Sequence, residues 1–131
     1  MHPLSALEDL EAYCRLFTDI PLWAPYVREV CARHHLSCDD VHTGVPGTCP
    51  VFLVSVAGAR RWVVKFFGRL FDGAQCFAAE REAGRLVGQD PRIRTAGLVA
   101  TGELGGEGWP WPYLVFDYIQ GVSLGEVFEQ I

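Results

Sequence analysis

Lysine is almost missing from this chain: of 11 basic residues, only Lys65 is a lysine. The arginines at positions 15, 28, 33, 60, 61, 69, 81, 85, 92 and 94 form no stripe, and 16 acidic residues leave a net charge of −5. No basic field is present to neutralise a phosphate backbone, so nucleic acid is not an expected partner. Long apolar runs are also missing. None nears the roughly 18 residues that cross a bilayer, so no membrane partner is expected. Met1 to Asp9 offers neither a basic start nor an apolar stretch of the kind that marks secretion, and a cytoplasmic location is expected. Cys14, Cys31, Cys38, Cys49 and Cys76 are odd in number and contain no Cys-x-x-Cys pair, which fits reduced, structural thiols. Repeats and low-complexity tracts are absent from the sequence. What remains, 131 residues that are 50% hydrophobic and 21% charged, has the make-up of a single folded domain.

The first third reads as helix. Ser5 and Glu8 have capping-box spacing, and Leu7, Leu10, Tyr13, Cys14 and Phe17 recur at helical steps, predicting a helix from about Ala6 to Phe17. Pro21 suits the first turn of a second helix with the stripe Trp23, Tyr26, Val27, Val30, Cys31 and His34. From Val41 the pattern turns to β. The segments 51–56 and 61–67 are rich in β-branched and aromatic residues, predicting a hairpin with the four-residue connection Ala57-Gly58-Ala59-Arg60. Thr43 to Thr48, with two glycines and a proline, predicts a turn ahead of it. Residues 74–88 predict a third helix with Cys76, Ala79, Ala83, Leu86 and Val87 on or near one face. Segments 97–104 and 113–119 predict two more strands, and Ser123 to Glu129 a capped helix. The class is α+β: about five antiparallel strands with one packed helix, preceded by two N-terminal helices.

The order of these parts points to chemistry. A glycine turn lets backbone amides approach phosphates, and a lysine between apolar neighbours on the outgoing strand can reach them. A glutamate on the packed helix can hold that lysine. Alternation puts Val63, Lys65 and Phe67 on one strand face and Trp62, Val64 and Phe66 on the other, so Val63 could cover one side of an adenine ring beside Lys65. The plainer alternative is a lysine that guards a strand edge. Glu80 and Glu82 lie roughly 200° apart on a helix, so only one can face the sheet. Glu80 has Ala83, Gly84 and Val87 beyond it and is the chosen partner, the plain alternative being that both are solvated charges.

The runs Gly-Thr-Cys-Pro-Val-Phe-Leu-Val (47–54), Trp-Val-Val-Lys-Phe-Phe-Gly (62–68), Phe-Ala-Ala-Glu-Arg-Glu-Ala (77–83), Asp-Pro-Arg-Ile (90–93) and Trp-Pro-Tyr-Leu-Val-Phe-Asp-Tyr-Ile-Gln-Gly-Val-Ser-Leu (111–124) together resemble the aminoglycoside phosphotransferase family, in its hygromycin-kinase-like branch. The resemblance covers about residues 40 to 131. Beside the helical segment that periodicity gives over 1–39, it implies a protein-kinase-like, ATP-binding N-lobe over 40–131 that stops just after the hinge. It also implies Lys65 as the phosphate lysine, Glu80 as its helix partner, and Gly44, Gly47 and Thr48 in the phosphate loop, although Pro46 departs from a fully glycine-rich turn. Phe116 would back the adenine pocket, with Asp117 and Ile119 offering hinge backbone groups.

In that family the catalytic aspartate, its asparagine and the magnesium ligand lie in the C-lobe. Here His2, His34, His35 and His42 are followed two residues on by Leu4, Leu36, Ser37 and Gly44, so no His-x-Asp occurs. No catalytic residue and no metal ligand is therefore assigned. Magnesium and a small hydroxylated or cationic acceptor, as in antibiotic resistance, are expected only with the C-lobe, and the chain alone is expected to be inactive. The alternative function is a stand-alone, non-catalytic binding or regulatory module derived from such a lobe, and an unrelated α+β interaction domain is a third. An exposed lobe face could drive self-association. Cys31, His35 and Cys38 suggest zinc, but a fourth ligand is not evident and the site is read as a buried thiol beside a surface histidine. Trp109 to Tyr113 reads as a packed loop leading into a strand, with an aromatic binding surface as the alternative.

Overall fold

The computed structural model describes residues 3–44, 47–92 and 96–119. Along them run a 3-10 helix (Pro3–Glu8), α1 (Leu10–Leu16), α2 (Ile20–Arg33), β1 (Asp40–Thr43), β2 (Val51–Val56), β3 (Ala59–Phe66), α3 (Gly73–Gly88), β4 (Leu98–Glu103) and β5 (Pro112–Asp117). The class is α+β, with three α-helices and one open sheet among the described residues. Its five strands pair antiparallel throughout, in the order β1-β2-β3-β5-β4. The expected helix from Ser123 to Glu129, the Val45-Pro46 part of the turn and Ile93 of the Asp-Pro-Arg-Ile run lie outside the described residues. Among those described, no helix is long and apolar enough to cross a membrane.

Two local expectations need correction. The helix expected from Ala6 to Phe17 is two pieces, because Asp9 takes an extended conformation and its Oδ2 accepts from the N–H of Ala12 at 3.1 Å, capping α1. Leu7 and Tyr13 are buried as expected, whereas Leu10 is 56% exposed. The hairpin connection has two residues, not four. Ala57 and Gly58 both have positive φ (53° and 79°), the signature of a type I′ turn whose twist matches the flanking strands, so Ala59 and Arg60 already belong to β3. A bulge at Val54/Ser55 then skips Arg61 in the pairing of β2 with β3.

The two sheet faces differ in cover. Phe52, Val54, Val64, Phe66, Tyr113 and Val115 point to one face and are buried, packed against Leu4, Leu7, Tyr13 and the α2 stripe Trp23, Val27, Val30 and Cys31. Trp23 is the centre of this layer: its ring lies 4.8 Å from Phe66, 5.2 Å from Trp111 and 5.7 Å from Phe52, centroid to centroid, and its Nε1–H donates to the Leu16 carbonyl at 3.1 Å. Each such ring pair adds about 0.5–1.5 kcal/mol to plain burial. Trp111 and Tyr113 are buried, and the Trp109 Nε1–H donates to the Phe67 carbonyl at 2.8 Å, so the aromatic run is a packed loop.

The opposite face carries α3 over β4 and β5. A Cβ built on Gly84 would meet Leu98 at 3.6 Å and Phe116 at 3.8 Å, which shows how close the helix lies to the strands. The Phe77 ring meets Phe67 at 5.5 Å. The inward face of α3 is therefore Phe77, Glu80, Gly84 and Val87. Of the residues expected to face the sheet, Cys76, Ala79 and Ala83 are exposed and Leu86 is 53% exposed, while Val87 is half-buried. Small alanines carry little information about direction; the bulky Phe77 and the close approach at Gly84 decide it.

Candidate functional site

Lys65 lies on β3 one residue before its end, on the sheet face that carries α3. Its Nζ donates to Glu80 Oε1 at 2.6 Å, linking strand to helix. The side chains retain 25% and 40% of their exposure, so this is a pair at the rim of the packed layer, with water on one side. Nζ also lies 5.3 Å from the Phe67 ring centroid, within cation–π range. Phe77 and Gly84, one turn to either side of Glu80, fix the helix against the sheet and so aim Glu80. Glu82 points outward and pairs with Arg85, whose guanidinium holds its carboxyl below the usual range.

The register arranges the other predicted residues in two rows across that face. One row is Gly44, Val51, Lys65 and Leu114; the next is His42, Leu53, Val63, Phe116 and Leu98. Gly44 donates its N–H to the Val51 carbonyl at 2.8 Å, and a Cβ there would come within 2.7 Å of Val51 Cγ1, so only glycine fits this end of the ladder. Gly47 and Thr48 are exposed. The Tyr13 hydroxyl donates to the Thr48 carbonyl, tying the loop to α1, and burial, with smaller contributions from Cys49 and Cys14, pushes that hydroxyl well above the ordinary tyrosine range. Phe116 is half-buried between Val63 and Leu98 and beneath Gly84. Asp117 donates its N–H to the Gly97 carbonyl at 2.9 Å and Tyr118 donates to Arg61 at 3.0 Å, while Ile119 is 55% exposed. Val51, Leu53 and Val63 are half-buried, and among the described residues no helix covers them.

Three neighbours were not picked out from sequence. Cys49 sits near Lys65 and Glu80; burial raises its thiol, opposed by the Lys65 charge. His42 Nε2 and Ser55 Oγ form a hydrogen bond of 3.0 Å at the rim of the second row. Reading Asp40 to Thr43 as a strand, with Val41 inward and His42 outward, would have found that histidine. Ser55 is legible only through its register with β1.

Elsewhere, Ser5, Glu8, Glu107, Gly108, Trp109 and Trp111 line a hollow of about 30 Å³. It has room for a water and shares no residue with the Lys65 site. Among the described residues no three His, Cys, Asp or Glu side chains are grouped to hold a metal ion. Cys31 is buried, and His35, at positive φ, is exposed on the turn that ends α2. No protein-family model matches this chain.

Proposed function

We propose that residues from 40 onward form the ATP-binding lobe of a kinase-like small-molecule phosphotransferase of the aminoglycoside type. The observation that carries this reading is the Lys65–Glu80 ion pair, at 2.6 Å between the third strand and the helix that follows it. A structural ion pair needs only two charges. This one also stands at the open edge of the packed face, next to half-buried apolar Val63 and in the same row as Gly44, where a flat base and a phosphate chain could lie side by side.

In this reading Lys65 binds the α- and β-phosphates and Glu80 holds it in place. Gly44, Gly47 and Thr48 offer backbone groups to the phosphates. Val63 covers the adenine, Phe116 closes the back of its pocket, and Asp117 and Ile119 present backbone groups to its edge. Lys65, Glu80 and the backbone groups of the loop make a donor set suited to the phosphates of a nucleotide. The reading gives no described residue the role of magnesium ligand, catalytic base or acceptor contact.

A titration with ATP in the millimolar range, followed by NMR on the wild type and on Lys65→Ala, tests the reading. It expects shifts confined to the neighbourhood of 44–48, 65 and 115–119, lost in the variant. Absence of any shift in the folded wild type overturns it.

A further inference from the structure

Across the sheet from the face that carries Lys65, the turn that ends α2 brings two thiols and a guanidinium together. His35, with φ 57°, reverses the chain, and the Leu36 N–H closes the turn on the Cys31 carbonyl at 2.8 Å. Arg28 lies one helical turn before Cys31. Its Nη1 donates to the Cys38 carbonyl at 3.3 Å and approaches Cys38 Sγ at 3.9 Å, while Nη2 donates to the Asp39 carbonyl at 3.2 Å. These contacts fold the segment 36–39 back over α2. Cys38 consequently packs against the core cluster that contains Cys31, close enough for each thiol to feel the other.

The two sulfurs differ in access. Cys31 is 1% exposed, whereas Cys38 is half-exposed with a cation beside it. Burial, and then the neighbouring Cys38, push the Cys31 thiol up to about 12, so it keeps its proton near neutral pH. An accessible sulfur near a guanidinium, with a second thiol behind it, has the layout of an oxidisable cysteine and its resolving partner.

We propose that Cys38 is a site of oxidation by hydroperoxides and that Cys31 resolves it, giving an intramolecular disulfide between the last turn of α2 and the entry to β1. In the first step the Cys38 sulfur attacks the peroxide oxygen, the O–O bond breaks, and Cys38 sulfenic acid and an alcohol or water form; sulfur loses two electrons and the peroxide gains them. In the second, Cys31 sulfur attacks the sulfenic sulfur, and the hydroxyl leaves with the Cys31 proton as water. The cross-link fastens a strategic segment, since the Asp39 N–H donates to the Ser55 carbonyl at 2.9 Å and Asp39 Oδ2 accepts from the Ala57 N–H at 2.7 Å, anchoring β2 and the turn of the hairpin.

Simple exposure makes the opposite forecast. Cys14 and Cys76 are the exposed thiols and would react first if access alone decided the matter. The test is treatment of the folded wild-type chain with hydrogen peroxide, followed by intact-mass measurement and peptide mapping without reduction. The proposal expects a product lighter by two hydrogen atoms with a 31–38 cross-link, reversed by dithiothreitol. Cys31→Ala should instead accumulate a dimedone-trapped sulfenic acid on Cys38, and Arg28→Gln should slow cross-linking several-fold. Oxidation at Cys14 or Cys76 while Cys31 and Cys38 stay reduced overturns the proposal. So does a cross-link between any other pair, and the wild-type map decides the matter even if a variant fails to fold.

Discussion

Replacing Lys65 by methionine and Glu80 by glutamine, singly and together, removes each charge with little change of shape and measures what the pair contributes to folding. At 2.6 Å, opposite unit charges attract by about 1.6 kcal/mol in bulk water and about 6 kcal/mol at an effective dielectric near 20. The retained exposures of 25% and 40% put the pair toward the wet end of that range. Fixing two long side chains in one geometry takes back a further share, so the expected coupling is about 0.5–1 kcal/mol, as for exposed pairs. Urea unfolding of the four proteins, with equal m-values, reads this coupling directly. It should shrink in about 1 M salt, where the Debye length falls to about 3 Å. A coupling of zero at low salt would refute the contribution to folding assigned to the pair. A coupling above about 3 kcal/mol would mean a dry structural bridge with no room for a phosphate, and would refute the functional argument instead.

Three further outcomes follow from local geometry. Ala57 holds a positive φ that alanine disfavours, so Ala57→Asn should raise stability by about 0.5–1 kcal/mol and raise the melting temperature. Gly73, buried at the start of α3, has the Gly68 carbonyl oxygen 1.7 Å from where a Cβ would stand, so Gly73→Ala should cost on the order of 3 kcal/mol in a denaturation experiment. Tyr13→Phe removes the hydroxyl bond to the Thr48 carbonyl and should cost about 1 kcal/mol at neutral pH. The Tyr13 hydroxyl has its folded pKa raised above the ordinary 10.0, mainly by burial, so the unfolded chain releases that proton first as pH rises. Its stabilising effect is complete below pH 10.0 and is lost above it, and the phenylalanine variant should show a shallower loss of stability over alkaline pH.

Which parts were legible in sequence follows from which residues carry direction. β2, β3 and β5 were readable because their runs of Val, Phe, Trp and Tyr favour strands and are bounded by turn residues. Glu80 could be separated from Glu82 because Gly84 and Val87 share its side of the helix. The rest of α3 was misread because Ala79, Ala83 and Leu86 are apolar but made to face water, while Phe77 docks on a ring in another element. The hairpin turn was hidden by an alanine where asparagine or glycine would have announced a type I′ turn. His42–Ser55 and Cys31–Cys38 depend on strand register and on the reversal at His35, which no short window of sequence reveals.

The half-covered sheet face leads to a last expectation. Val51, Leu53 and Val63 form a strip that no helix covers among the described residues, and both a flat base and a second copy of the chain could occupy it. Three half-buried side chains offer far less than the roughly 800 Å² per partner of a stable protein interface, so any self-association through them should be weak. A base covers such a strip without a second protein surface, and Lys65 beside it adds a charge that favours a phosphate-bearing ligand over an acidic copy of itself. Sedimentation at rising protein concentration should therefore show weak association at most, and ATP should reduce it. Association that ATP leaves unchanged while nucleotide shifts are still seen by NMR would locate the self-contact elsewhere, with Leu86 and Val99, both exposed, as the first residues to replace. Association that Lys65→Ala abolishes would instead mean that the open row meets protein, and the plain reading of Lys65 as a charge that guards a surface from pairing would be reversed.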